Sequence, residues 1–416
     1  MRNRIQKLVA ILLPMVMLIL LTGCWNRTEL NEIGITAATG IDRVGKDWTV
    51  TYQVIVPSAM ASSSGGASSG SSQAAVHVFS TKAEAIEKAN NLTNLENPRR
   101  LFIAHNNAVV IGDRAAREGV AELIDLYLRK VETRETVLML ITEGRASETL
   151  KKLVPPEKLP GLAIAEILRQ EERNASIFPV VSIYDFAMGL TSDAKTNVIP
   201  VIALSGDTEG DKPEKLESTE ATQVTSPPVK LRLVKLALFR EDRLVGFANR
   251  EESYGLTWMR GKVHGSVVSF PMEGAQAGKA SSFRITSASA KITPVKKGDR
   301  FTMRIRVKLQ GILTETVTGK DLSDPRVIHD MEKEIAKTVE QQVRTGWAVV
   351  QREKLDLAGF ADRIHRKYPK DWAKLKEGWE DELGRLELDV AAKATIKRPG
   401  FMQKSFGSIK KSTEEQ

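Results

Sequence analysis

Phe301-Thr302-Met303-Arg304-Ile305-Arg306-Val307-Lys308-Leu309 alternates apolar and polar side chains residue by residue. A period of two sends successive side chains to opposite faces of a strand, so this stretch reads as a strand with one dry face and one wet, cationic face. Leu386, Leu388, Val390, Ala392, Ala394 and Ile396 repeat the pattern, with Glu387 and Asp389 turned outward. As neighbours, the two strands would set outward Arg and Lys against outward acids, each pair contributing about 0.2–1 kcal/mol. Between them Asp324 offers an N-cap and Pro325 an N1 residue, and Ile328, Met331, Ile335, Val339, Val343, Trp347 and Val350 recur by threes and fours. That spacing predicts a helix of about six turns with one apolar face. So long a helix needs a broad partner surface, which the dry faces supply if the strands form one antiparallel sheet covered on one side. Residues 229–400 therefore read as an α+β domain, an antiparallel sheet under long helices, with further strands at 231–239 and 243–247 and a short helix at 250–259. Residues 401–416 form a basic, polar tail.

Moving toward the N-terminus, 206–228 is rich in Gly, Pro, Thr and charge without an apolar period, and marks a linker. Residues 24–205 have a different texture. The β-rich runs at 33–41 and 48–56 read as a hairpin, and 58–73, almost all Ser, Gly and Ala, as a flexible loop. Strands at 76–79, 101–111, 136–141 and 198–204 alternate with helices. Thr81 and Glu84 match a capping box for a helix at 81–92. Asp113 can cap a helix whose Ala116, Val120, Leu123, Ile124, Tyr127 and Leu128 share a face, and 159–170 and 183–190 are helical too. Such alternation implies crossover units, hence an α/β part with a mostly parallel or mixed sheet. The fold class is mixed, α+β overall.

The first residues carry Arg2, Arg4 and Lys7, then an apolar run at 8–21 interrupted by Pro14, then Thr22-Gly23-Cys24. The run falls short of the roughly 20 residues of a spanning helix, so 1–23 reads as a cleaved signal peptide. Leu21-Thr22-Gly23-Cys24 resembles the lipobox of bacterial lipoproteins, which implies a diacylglyceryl group on Cys24. Cys24 is the chain's single cysteine, so it has no disulfide partner within the chain. Loss of Arg2, Arg4 and Lys7 with the leader lowers the formal charge from +9 to +6, which reads first as an ordinary solubilising balance and second as an attraction to anionic lipid headgroups beside the anchor, and export removes the expectation of a nucleic acid partner.

No metal or nucleophile template matches, and no cofactor is expected. Gly274-Ala275-Gln276-Ala277-Gly278-Lys279-Ala280-Ser281 has three residues between its glycines where a phosphate loop has four, and Ala280 where it needs a hydroxyl, so it reads as a plain loop. His77, His105, His264, His329 and His365 are scattered, and Glu171-Glu172 and Glu251-Glu252 read as solvated charges. Trp347, Trp372, Trp379, Tyr368 and Phe360 read first as core, with Trp372 and Trp379 on one helix face, and second as an interface anchor. The chain is not expected to be an enzyme, and ligand-contacting residues are not assigned.

Three stretches together resemble the C subunit of spore germinant receptors, the Ger(x)C lipoprotein family. They are Cys24-Trp25-Asn26-Arg27-Thr28-Glu29-Leu30-Asn31-Glu32-Ile33-Gly34-Ile35 running on to Gly40-Ile41-Asp42, then Arg134-Glu135-Thr136, and then Phe360-Ala361-Asp362-Arg363-Ile364-His365-Arg366-Lys367-Tyr368-Pro369-Lys370-Asp371-Trp372 followed by Trp379. Asn26 departs from the more usual Asp. The resemblance implies a non-catalytic lipoprotein on the outer face of the spore inner membrane, beside membrane-embedded A and B subunits, in a receptor whose response to nutrients triggers germination. Only Cys24, as the lipid attachment site, is carried over. The competing readings are a lipid-anchored solute-binding protein with two similar lobes around a cleft, and an envelope hydrolase with a buried cluster of perturbed acids or histidines.

Overall fold

The computed structural model describes residues 3, 4, 6, 29, 32–61, 74–206, 216–222, 225–226, 229–272 and 279–400. Strands β1 (Ile33–Val44) and β2 (Asp47–Ile55) form the expected antiparallel hairpin. Its turn uses Gly45 at φ +66°, a conformation that costs a residue without a Cβ little. After a short helix α1 (Pro57–Ala61), β3 (Val76–Ala83) pairs with β2. The chain then runs α2 (Ile86–Glu96), β4 (Arg100–Phe102), β5 (Ala108–Gly112), α3 (Asp113–Glu118), α4 (Ala121–Arg129), β6 (Leu138–Thr142), α5 (Ala146–Leu150), α6 (Pro160–Asn174), α7 (Ile183–Thr191) and β7 (Thr196–Gly206). Strands β1, β5, β6 and β7 lie side by side and parallel. Helices cover both faces. Val109 and Ile111 of β5 meet Ile86, Leu123 and Phe186 in one cluster, while Ala108 and Val110 meet Ala146, Leu150 and Leu168 in another. Burial on both sides is why these strands are written as continuous apolar runs.

β8 (Val229–Arg240) and β9 (Arg243–Ala248) add antiparallel to β7, giving the order β3-β2-β1-β5-β6-β7-β8-β9, with β4 beside the start of β1. The first sheet is thus mixed. It also runs past residues 206–228, so the strands expected at 231–239 and 243–247 belong to it and not to the second sheet. The physical reason is the edge of β7, a long apolar strand that β8 pairs from end to end.

Beyond α8 (Arg250–Arg260) come β10 (Ser266–Phe270), β11 (Ser281–Lys297), β12 (Arg300–Glu315), α9 (Pro325–Glu353), α10 (Phe360–Lys367), α11 (Pro369–Leu375), α12 (Trp379–Arg385) and β13 (Glu387–Arg398). They build a second sheet, β10-β11-β12-β13. Phe301, Met303, Ile305, Val307 and Leu309 are buried in the cluster that holds Met331, Ile335, Val339 and Val343 of α9. Arg304 and Lys308 are exposed. The Asp324 carboxylate accepts the Arg326 N–H at 2.8 Å and caps α9 as predicted, although Val327 rather than Ile328 is the buried residue of its first turn.

Several local expectations give way to tertiary structure. β12 and β13 are neighbours, and Arg304 and Arg306 reach Asp389 at 2.9 and 2.8 Å, but the pair is parallel while β10, β11 and β12 are antiparallel. A strand that returns through a crossing helix re-enters in the same direction. Thr81 lies in β3 opposite Val50, its hydroxyl donating to the Ala89 carbonyl at 2.8 Å, and the helix starts only at Ile86, so the Thr81–Glu84 capping box is not formed. The helix expected from Asp113 is broken at Gly119, where φ is +120°, and Leu128 is half exposed. Asp113 is in its first turn and not its cap. Trp372 and Trp379 sit on separate helices, α11 and α12, with rings edge-on at 5.1 Å. Cys24, the rest of the leader beyond residues 3, 4 and 6, positions 62–73 of the Ser/Gly loop and the tail 401–416 fall outside the described residues.

Candidate functional site

The last stretch of the resemblance, 360–372, lies where the two sheets meet, and several of its polar groups reach other elements, while Arg363 Nε is buried without a hydrogen-bond partner among the described residues. Asp356 precedes it and is buried; its carboxylate accepts the N–H of Phe360 at 2.8 Å and of Ala361 at 2.6 Å, capping α10. Gly359, at φ +67°, turns the chain into that cap. From the first sheet, the Thr196 hydroxyl donates to the Asp356 carbonyl at 2.7 Å and the Asp193 N–H donates to Asp362 at 3.0 Å. The Asp193 carboxylate also meets His365 Nδ1 at 2.7 Å, and the His365 ring stacks on Trp372 at 6.0 Å. From α8, Arg260 Nη1 donates to the Leu357 carbonyl at 2.8 Å. Toward the second sheet, Lys367 donates to the Pro294 carbonyl at 3.0 Å and Asp371 pairs with Lys296 at 2.7 Å. Trp347, Phe360, Trp372 and Trp379 are buried, which favours their reading as core.

Electrostatics mark the same place. Burial pushes the Asp356 carboxyl up to about 6, against the two backbone N–H groups that favour its ionised form. Burial likewise lowers Arg260, opposed by Asp185 and Asp356, and lowers Arg363 together with the neighbouring Arg366 charge. What this cluster does chemically is join: it fixes the turn before β7 to the helices over the second sheet through groups that are costly to leave unpaired.

The other residues singled out in the sequence are dispersed. His77 is on β3 beside Phe79, His105 beside Phe102, His329 on α9, and His264 follows α8 with its N–H on Ser176. Glu171 and Glu252 are not the solvated charges they resembled. Glu171 accepts the N–H of Ile177 and Phe178 at 2.5 and 2.9 Å, and burial raises it to about 7; Glu252 closes a capping box with Asn249 and pairs with Arg352 at 2.5 Å. Among the described residues no group of three or more His, Cys, Asp or Glu is placed to hold a metal ion. The surface grooves that the described residues form on the first sheet include the following two. One, of about 940 Å³, lies between the end of β2 and residues 96–99, with His77, Glu96 and Arg99 in its wall. The other, of about 570 Å³, is mostly apolar and lies around Pro155 and Pro156. Among the described residues no helix is long and apolar enough to cross a membrane. Cys24 lies outside them, so its surroundings are not described.

Two family matches divide the chain between them. Residues 26–204 match the spore germination protein N-terminal domain, and residues 234–400 the spore germination B3/GerAC-like C-terminal domain. Among individual proteins, the chain is 29% identical over 402 residues to spore germination protein KC of Bacillus subtilis (strain 168), covering 95% of this chain and 97% of that one. It is 26% identical over 408 residues to the putative spore germination protein YfkR of the same organism, covering 98% and 100%. The fold is that of the crystal structure of the GerBC protein, with a TM-score of 0.54 at 17% identity over 86% of this chain and 97% of that one.

Proposed function

The chain belongs to the GerAC-like, or Ger(x)C, family of spore germination proteins, and from that membership we propose that it is the lipid-anchored C subunit of a nutrient germinant receptor. The observation that carries this is the span of the two matches, 26–204 and 234–400, which takes in both sheets. In this reading Cys24 bears a diacylglyceryl group after removal of residues 1–23. The body sits on the outer face of the spore inner membrane and works, without catalysis of its own, beside membrane-embedded A and B subunits. The segment from Cys24 to Ile33 spans about 30 Å at full extension, so β1 stays close to the bilayer. Tethering at that range gives a high effective concentration, and weak contacts with the partners suffice. Two acyl chains hold far more firmly than one, each buried CH₂ contributing about 0.8 kcal/mol.

A protein that captured a nutrient between two similar lobes is less well supported. The two sheets differ in size and pairing, so they are not two similar lobes.

The test is Cys24→Ala. The wild-type chain is expected in the membrane fraction, with the mass of its N-terminal peptide raised by the lipid. The variant is expected to fold with an unchanged circular dichroism spectrum, to leave the membrane fraction and to lose the nutrient response. Normal membrane retention of the variant refutes the anchor.

A further inference from the structure

The second sheet has a face that α9 does not cover, and its charges are arranged against the sheet's own interest. On it Lys291 of β11 stands opposite Arg306 of β12, and Lys308 of β12 stands opposite Lys393 of β13. Like charges directly across a pair of strands destabilise a sheet. At the near end of the same face the sequence does the opposite, setting Arg304 against Asp389. Asp389 is already shared between Arg304 at 2.9 Å and Arg306 at 2.8 Å, and these hydrogen bonds hold its carboxyl down to about 2. Lys291, Lys308 and Lys393 are exposed and make no ion pair among the described residues. The positions registered around them, Ser287, Ser289, Gln310 and Thr395, are uncharged. The rows of the face are strand rows, so it is broad and open, and neither groove described above is lined by it. A concave site suits a small anion; an open cationic plane suits an anionic plane.

We propose that this face docks on the anionic phospholipid headgroups of the membrane that bears the protein, and so fixes the orientation of the body. The inference rests on the tethered reading of Cys24, because a tether keeps the body at the membrane and three unpaired lysines then bias which face it turns to the headgroups. Departures from local pairing rules of this kind collect where a surface has work to do.

Lysine acetylation, read by mass spectrometry on the lipidated protein in vesicles, tests it. In phosphatidylcholine vesicles containing phosphatidylglycerol at low salt, Lys291, Lys308 and Lys393 are expected to react several-fold more slowly than in detergent. Lys333 and Lys337, on α9 at the far side of the sheet, keep their rate. The protection is expected to vanish in pure phosphatidylcholine and at about 1 M salt, where charges are screened within about 3 Å. The double substitution Lys308→Glu with Lys393→Glu is expected to abolish the protection of Lys291 while leaving the protein in the membrane fraction. Equal rates in all vesicles, equal protection in uncharged vesicles, or protection only when receptor A and B subunits are present would each overturn the proposal. The mass of the N-terminal peptide reports separately whether the lipid is there. If it is not, the tethered reading fails and the docking proposal falls with it; if it is, unprotected lysines overturn the docking proposal alone.

Discussion

At the scale of single residues, Asp356 concentrates the tension in the molecule. It is buried, it caps α10 through two N–H groups, and its carboxyl is pushed up to about 6 from an unfolded value near 3.9. A raised acid binds its proton more readily in the folded chain than in the unfolded one. Its contribution to stability is therefore complete below about pH 4 and is lost as pH rises through about 6. Asp356→Asn cannot ionise, so relative to it the wild-type chain is expected to lose stability across that window, by at most about 1.4 kcal/mol per pH unit. Urea midpoints measured for both proteins from pH 4 to 7 check this, and parallel curves would refute it. The neighbouring Asp362 carboxylate adds to the upward push, and Asp356 in turn favours the charged forms of Arg260 and Arg363.

At the scale of elements, the contact between α8 and α9 is set by glycine. A Cβ on Gly255 would lie 2.3 Å from the Gln342 carbonyl oxygen and 2.4 Å from the Gly346 nitrogen, and a Cβ on Gly346 would lie 2.4 Å from the Gly255 carbonyl carbon. The backbones touch, and Trp258 Nε1 donates to Gln342 Oε1 at 3.0 Å beside the crossing. Helix propensity alone would make Gly346→Ala stabilising by about 1 kcal/mol. The crossing reverses the sign: overpacking of a tight core costs about 1–3 kcal/mol, so a net loss of up to about 2 kcal/mol is expected, read as a lower urea midpoint. A raised midpoint would show that the helices separate without cost. Gly255 and Gly346 carry no signal in an apolar pattern, which records which face is dry and not how near its partner comes. Periodicity did disclose the dry face of β12, the apolar stripe of α9 and the hairpin of β1 and β2, because each depends on one segment and water. It failed for Thr81, where pairing with β2 overrode a local capping pattern, and for the direction of β13, which depends on where the chain goes between two strands. The 360–372 stretch was recognisable by its residues. Its role as a bridge was not, because Asp193 and Thr196 are more than a hundred residues away in the chain.

At the scale of the whole molecule, the two sheets are stitched together more closely than the change of sequence texture near 206–228 implies. Val198 of β7 and Leu236 and Leu238 of β8 share one buried cluster with Trp258, Ile335 and Phe360. β8 pairs β7 from Thr196 to Gly206, and its Phe239 meets Phe186 edge-on at 5.2 Å. A fragment ending at residue 205 would keep every crossover helix of the first sheet yet leave β7 as a long apolar edge, a template for pairing with other chains. Such a fragment, 24–205, is expected to aggregate, and the full-length chain is expected to unfold as one unit. The check is hydrogen exchange followed by mass spectrometry across a urea series, comparing peptides from β5 with peptides from β12. If the clusters and the Asp356 bridge couple the sheets, both peptides lose protection at the same midpoint, as a cooperative transition requires. If β5 and β12 part at different urea concentrations, and the 24–205 fragment is soluble and protected, the halves are independent domains and the bridge only aligns them.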